Sequence, residues 1–257
     1  MNQYKCYGAI LGDIVGSIYE LNPIKSRDFE FFDEKSHWTD DTIMTLASCS
    51  KLLNDSSYAL EYKWWGNKYY GDYYGKNFKE WIKREDFTSN DSYGNGSAMR
   101  VSPIGYVKSW PYTAVEAYES AKCSHDNQEA IKAAVFIADS VRWLKNGLGK
   151  EYVERQAIEV YGRLLPKACV PFDKFKVRCD DTVPVAIRCF LQTTNLEDTI
   201  RLAVSLGGDC DTIASIAAEL RVAFDGGIEE KYVTFVHSKL DIFQLATLVD
   251  FNIKFLD

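Results

Sequence analysis

Histidine is nearly absent from this chain, with residues only at positions 37, 125 and 237 of a 257-residue sequence. That scarcity argues against a zinc hydrolase or metallophosphohydrolase centre built from imidazoles. No CxxC pair occurs, and the seven cysteines, at 6, 49, 123, 169, 179, 189 and 210, are odd in number and lie mostly in apolar-periodic stretches. They read as reduced, buried thiols rather than as a disulfide framework or zinc ligands. Basic residues are not in excess: 30 Lys and Arg stand against 37 Asp and Glu, a formal net charge of −7. Such a chain lacks the basic face that displaces counterions from phosphates, so direct nucleic-acid binding is not expected. Long apolar runs are missing too. The start, Met1-Asn2-Gln3-Tyr4-Lys5 with Asp13 and Glu20 soon after, has neither a signal-peptide core nor the length of a membrane span. A cytoplasmic protein without membrane attachment is expected; the oligomeric state is open, with a monomer as the default.

No Pro-, Ser- or Gly-rich linker divides the sequence, so a single domain over residues 1–257 is expected. Few stretches alternate with period two. Apolar residues recur at three- and four-residue spacing over 42–53, 113–123, 129–146, 152–164, 199–204 and 211–224, which predicts an all-α fold. Gly8, Gly12 and Gly16 fall at i, i+4 and i+8, a bare helical stripe suited to close backbone packing, with Glu20 one further turn along the same face. The aromatic-rich stretch from Trp64 to Trp81, with Tyr69-Tyr70-Gly71 and Tyr73-Tyr74-Gly75, reads as an irregular loop beside a pocket.

Two acidic clusters are present, Thr39-Asp40-Asp41-Thr42 and Gly207-Gly208-Asp209-Cys210-Asp211-Thr212, each directly before a helix-patterned run. Either alone can be a helix start, because Thr and Asp are favoured N-caps. Together they offer an oxygen-only ligand set, the kind that Mg²⁺ or Mn²⁺ prefers. A third acidic pair, Asp180-Asp181-Thr182 ahead of Pro184, reads as an ordinary start, with Asp or Thr as cap and proline in the first turn. The segment Ser92-Tyr93-Gly94-Asn95-Gly96-Ser97-Ala98-Met99-Arg100 is a turn whose small residues leave backbone N–H groups able to cradle an anion. His37 and His125 lie close in sequence to these polar candidates, whereas His237 reads as a helix-surface residue. A prenyl-diphosphate synthase or cyclase would need a DDxxD spacing, and Asp40-Asp41 has no acid at the later position.

Taken in order, Gly12 to Glu20, Trp38 to Thr42, Gly94 to Arg100, Ser124-His125 and Gly207 to Thr212 resemble the ADP-ribosylglycohydrolases, the family of dinitrogenase reductase-activating glycohydrolase and the ADP-ribosyl-acceptor hydrolases. The resemblance spans most of the chain. It implies a compact all-α fold with two Mg²⁺ or Mn²⁺ ions at the base of an ADP-ribose cleft, and an ADP-ribosylated protein or ADP-ribose derivative as substrate. It implies Thr39, Asp40, Asp41, Asp209, Asp211 and Thr212 as metal ligands, with Glu20 the leading catalytic candidate beside Asp40 and Asp41. Ser92, Gly94, Asn95, Gly96 and Ser97 would meet the diphosphate, with Gly75 on a second phosphate-contacting turn. Phe87 and Tyr93 would sandwich the adenine, and His125 would reach toward the diphosphate or its ribose. Asp126-Asn127-Gln128-Glu129 departs from the bacterial pattern after the histidine. Arginine-linked, serine-linked and free ADP-ribose derivatives therefore all stay open as acceptors, as does a non-catalytic ADP-ribose reader. The Tyr-rich stretch near Trp64 is the expected contact for a modified protein.

Overall fold

The three- and four-residue spacing becomes helix along nearly the whole chain in the computed structural model, which describes residues 4–256. Met1, Asn2 and Gln3, part of the segment expected to lack a signal core, lie outside the described residues. The helices are α1 (Tyr7–Gly16), α2 (Asp40–Asn54), α3 (Tyr58–Lys68), α4 (Lys76–Lys83), α5 (Ser102–Val107), α6 (Tyr112–Lys122), α7 (Gln128–Lys145), α8 (Lys150–Tyr161), α9 (Cys179–Gln192), α10 (Leu196–Ser205), α11 (Cys210–Asp225), α12 (Glu230–Lys239) and α13 (Ile242–Lys254). Short 3-10 turns cover Asn95–Ser97 and Gly162–Leu164, and the described residues contain no strand beyond one isolated bridge, Gly94 to Arg178. The fold is all-α. No helix among the described residues is long and apolar enough to cross a membrane.

At the centre, α1 is buried at every position and α11 from Cys210 to Ala223. The glycine stripe explains how two helices can share the core so closely. A Cβ added at Gly8 would stand 2.6 Å from the Ala218 carbonyl oxygen, and one at Gly16 would stand 2.5 Å from Asp211 Cα; Gly12 meets the Ala214 backbone between them. Only hydrogen fits at those points. The stripe therefore ends on Asp211, so packing delivers an acid of the second cluster to the end of α1.

Several helix starts are capped by a carboxylate from another element. Glu219 of α11 accepts from Cys6 N (3.0 Å) and Ala9 N (2.7 Å) at the start of α1, and from the Tyr106 hydroxyl (2.5 Å). Asp13 of α1 serves α2 in the same way. At α9 the expected self-capping by Asp180, Asp181 or Thr182 is not what forms: Arg178 is the cap residue, without a side-chain bond, and Glu129 accepts from Asp180 N at 2.8 Å. Pro184 is the sixth residue of α9, past the first turn where it was expected.

Four other expectations are corrected. Irregular backbone in the aromatic stretch is confined to residues 69–75, because Trp65 and Trp81 are buried anchors of α3 and α4. Helix α1 ends at Gly16, so Glu20 stands on the turn beyond it rather than one turn along the helix. Helix α8 stops at Tyr161 because Gly162 takes a positive φ of 51°. His237 is partly buried on α12, its Nε2 2.8 Å from the Tyr7 hydroxyl.

Candidate metal centre and cleft

The floor of the site forms where α2 and α11 begin beside the end of α1. Asp40 and Asp41 open α2, while Asp209 precedes α11 and Asp211 and Thr212 lie in its first turn. Carboxylate oxygens of Asp13, Asp41 and Asp211 lie within 4.8 Å of one another, and so do those of Glu20, Asp209 and Asp211. The two clusters, remote in sequence, are one cluster in space.

Thr39 and Asp209 occupy the cap positions of their helices, yet neither side chain caps. Thr39 Oγ1 instead donates to Asp13 Oδ1 at 2.6 Å, and Thr212 Oγ1 donates to Asp41 Oδ2 at 2.9 Å. Each hydroxyl hydrogen is thus directed at an aspartate, leaving oxygen lone pairs for a cation. Asp13, which sequence reasoning gave no role, replaces the self-cap of α2. It accepts from Thr39 N (2.9 Å), from Thr42 N (3.0 Å) and from both threonine hydroxyls. Its only sequence signal was one acid inside an apolar helix.

Burial, followed by mutual repulsion, raises the proton affinity of this cluster. Asp40, Asp41 and Asp211 are held well above the usual carboxylate range. Asp13 and Asp209 are also raised, with hydrogen bonds opposing the effect of burial. Glu20 is pushed up to about 7 by burial, then by the charges of Asp209 and Asp13. Asp41 Oδ1 and Asp211 Oδ1 are fully buried without a hydrogen-bond partner. Orphaned carboxylate oxygens are costly. A divalent cation that takes oxygen ligands would both satisfy them and relieve the repulsion, so the donor set fits one.

Above this floor opens a cavity of about 600 Å³, with Glu20, Asp40, Asp209, Asp211 and Thr212 at its base. Thr39 and Asp41 are buried and do not line it. One wall is the start of α4, where Gly75 has open space on its Cβ side. The facing wall contains Ser92, Tyr93, Gly94, Asn95 and Gly96, with His125 behind them. Backbone bonds from Asn95 N to Val177 O (2.9 Å) and from Cys179 N to Tyr93 O (3.0 Å) fix that loop. Asn95 Nδ2 ties it to the floor, donating to Asp209 Oδ2 at 2.6 Å and to Thr182 Oγ1 at 3.2 Å.

Three candidates sit elsewhere. Ser97 is buried behind the loop, donating to Ala130 O at 3.0 Å. Phe87 does not line the cavity, which corrects the expected pairing with Tyr93: Lys63 Nζ, bonded to Trp81 O and Arg84 O at 2.6 Å each, holds the Phe87 ring 5.6 Å away at the end of α4. Phe175 and Phe78 are the phenylalanines that line the cleft. His37 is exposed, with Nδ1 at 3.1 Å from Lys35 O.

Known proteins are similar to this chain in sequence and in fold. The chain is 27% identical to human (Homo sapiens) ADP-ribosylhydrolase ARH3, over 85% of its own length and 84% of the relative's. It is 24% identical to ADP-ribosylarginine hydrolase Tri1 of Pseudomonas putida (strain GB-1), covering 93% of this chain and 75% of that one. A solved structure described as an ADP-ribosylglycohydrolase-related protein complex superposes with a TM-score of 0.77 at 22% identity, covering 99% of both chains, and so shares the fold. The family model for ADP-ribosylglycohydrolase matches residues 6–252, a stretch that begins before Asp13 and ends beyond Thr212. With both acidic clusters and the glycine loop inside that match, this chain belongs to the ADP-ribosylglycohydrolase family.

Proposed function

We propose that this protein hydrolyses the N- or O-glycosidic bond between ADP-ribose and an acceptor, either a modified protein side chain or a small ADP-ribose derivative. The observation that carries this reading is the pair of buried, unpartnered oxygens, Asp41 Oδ1 and Asp211 Oδ1, under a cleft walled by a glycine loop. Thr39, Asp40, Asp41, Asp209, Asp211 and Thr212 would hold two Mg²⁺ or Mn²⁺ ions. The chemistry such ions supply is polarisation of hydroxyl groups and fixing of the sugar.

The chain's own residues account for the remaining steps. Backbone N–H groups of the Ser92 to Gly96 loop, apart from those of Gly94 and Asn95, which donate to Ser92 Oγ and Val177 O, and of the turn at Gly75 bind the diphosphate. Tyr93, 48% exposed, offers a ring face to the adenine. Glycosidic cleavage builds positive charge on the sugar, which the carboxylates at the floor stabilise. Glu20, with its pKa raised to about 7, is placed to hold or move a proton near neutral pH. All seven cysteines are free thiols, in keeping with a cytoplasmic setting.

Release of free ADP-ribose from arginine-linked, serine-linked and O-acetyl substrates, with Mg²⁺, Mn²⁺ or EDTA, tests the proposal. Metal-dependent release from one of them, lost in Glu20→Ala, is expected. Tight ADP-ribose binding without turnover on any substrate would overturn it in favour of a reader.

A further inference from the structure

Arg100 is fully buried, lines the cleft, and has no carboxylate within ion-pair distance among the described residues. A buried cation is normally compensated, so an unpaired one beside a cavity points to an anion from outside the chain. Its guanidinium lies 3.9 Å from the centre of the Tyr62 ring and donates from Nη2 to Ser120 O and Ser124 Oγ, each at 2.7 Å. Ser124 Oγ in turn lies 2.8 Å from His125 Nδ1.

The chemistry of these three groups fixes the direction of each bond. Arginine can only donate, so Ser124 Oγ accepts from it. Ser124 is 1% exposed, and its hydroxyl has two acceptors within reach, His125 Nδ1 at 2.8 Å and the neighbouring Cys123 sulfur, a weak acceptor. If Nδ1 carried the proton instead, the buried hydroxyl hydrogen would exchange a good nitrogen acceptor for the weak Cys123 sulfur, a costlier arrangement. Burial and the Arg100 charge also hold the His125 pKa well below its ordinary value, so the ring is neutral. Its one hydrogen then sits on Nε2. That atom faces the glycine loop: a Cβ added at Gly96 would stand 3.3 Å from it, and one at Gly94 3.6 Å.

We infer that Arg100 and Ser124 are positioning residues that lock His125 in its Nε2–H tautomer, so that the ring presents a hydrogen-bond donor to an anionic group held against the Gly94–Gly96 loop. The identity of that anion, a diphosphate, rests on the proposed ADP-ribose reading; the tautomer does not. The opposite tautomer would turn a lone pair toward the anion.

With only three histidines in the chain, long-range ¹H–¹⁵N spectra of ¹⁵N-histidine-labelled protein resolve each ring, and a His125→Gln sample identifies the signals of interest. A pyridine-type Nδ1 and a pyrrole-type Nε2 are expected for His125 at neutral pH. A charged ring, or a protonated Nδ1, would overturn the inference. Ser124→Ala should lose that single tautomer and weaken ADP binding by about tenfold, while Ser124→Thr, which keeps the hydroxyl, restores both. An unchanged tautomer in Ser124→Ala would also refute the relay. ADP should shift the Nε2-bound proton; binding of ADP without such a shift removes the donor role. If the tautomer is as expected but neither ADP nor ADP-ribose binds, the donor role and the ADP-ribose reading fail together and the positioning by Arg100 and Ser124 stands.

Discussion

Asp13 lies within an apolar helix, yet its two oxygens accept four hydrogen bonds from Thr39 and Thr42. Those bonds set the first turn of α2 and so aim Asp40 and Asp41. Asp13→Asn removes one acceptor oxygen and turns an amide toward the donors, which should cost about 1–3 kcal/mol of stability. Losing a negative charge from a repelling cluster works the other way, but chiefly when no cation is bound. The net loss of thermal stability should therefore be larger with Mg²⁺ present than with EDTA. Divalent-ion affinity by calorimetry should fall by about 10–100-fold, as for other residues that orient ligands. An unchanged affinity would show that α2 is positioned by packing alone. Residues of this kind are poorly legible in a sequence. The proposed ligands advertise themselves as Thr-Asp-Asp-Thr and Asp-Cys-Asp-Thr, whereas Asp13 acts through partners 26 and 29 positions away. Phe87 shows the reverse problem: an aromatic at a suggestive position, diverted by Lys63, whose role as cap of α4 follows only from three-dimensional packing.

At the scale of elements, the close contact of α1 with α11 carries the site. Gly12→Ala would press a methyl group into the Ala214 carbonyl and the Ser215 amide, backbone atoms that cannot rotate away. A loss of about 3 kcal/mol or more is expected, at the upper end of overpacking effects, measured as a lower urea midpoint. Because the helices must separate, Asp13 and Asp211 should also part, and Mg²⁺ should protect this variant less than the wild type. Equal protection would mean that the acids are held independently of the stripe. Helices α2, α6, α7 and α11 were legible to within two residues because each has a clear apolar face and polar flanks. Helix α4 was hidden by its aromatics, and α10 starts three residues before its apolar pattern because Asn195 caps it, accepting from Asp198 N at 2.9 Å. Self-caps can be read from neighbouring residues. Caps supplied by Asp13, Glu129 and Glu219 cannot.

For the whole molecule, the acids make stability depend on pH and on cations together. Their folded pKa values are raised, so ionising them disfavours the folded state. The stability they contribute is full below the unfolded value and is lost as pH rises through the folded one. For Glu20 that window runs from 4.5 to about 7, and Asp40, Asp41 and Asp211 act in the same direction. Metal-free protein should melt at a lower temperature in mildly alkaline than in mildly acidic buffer, apart from any general effect of net charge. Mg²⁺ should raise the melting temperature most in the alkaline buffer, since cations compete with protons for the same oxygens. A cation effect independent of pH would contradict this account.

The approach of Thr39 Oγ1 to Asp211 Oδ2, at 3.5 Å, brings together residues 172 positions apart. During synthesis, a chain that has emerged only as far as α10 holds Asp13, Glu20, Asp40 and Asp41 but lacks Asp209 and Asp211. It also lacks Glu219, so α1 has no cap and no partner for its glycine stripe. The acidic cluster is therefore complete only late in synthesis. Its acids cannot gather until the late helix has docked on the early one, and a cation bound among them would hold the two ends of that long loop together.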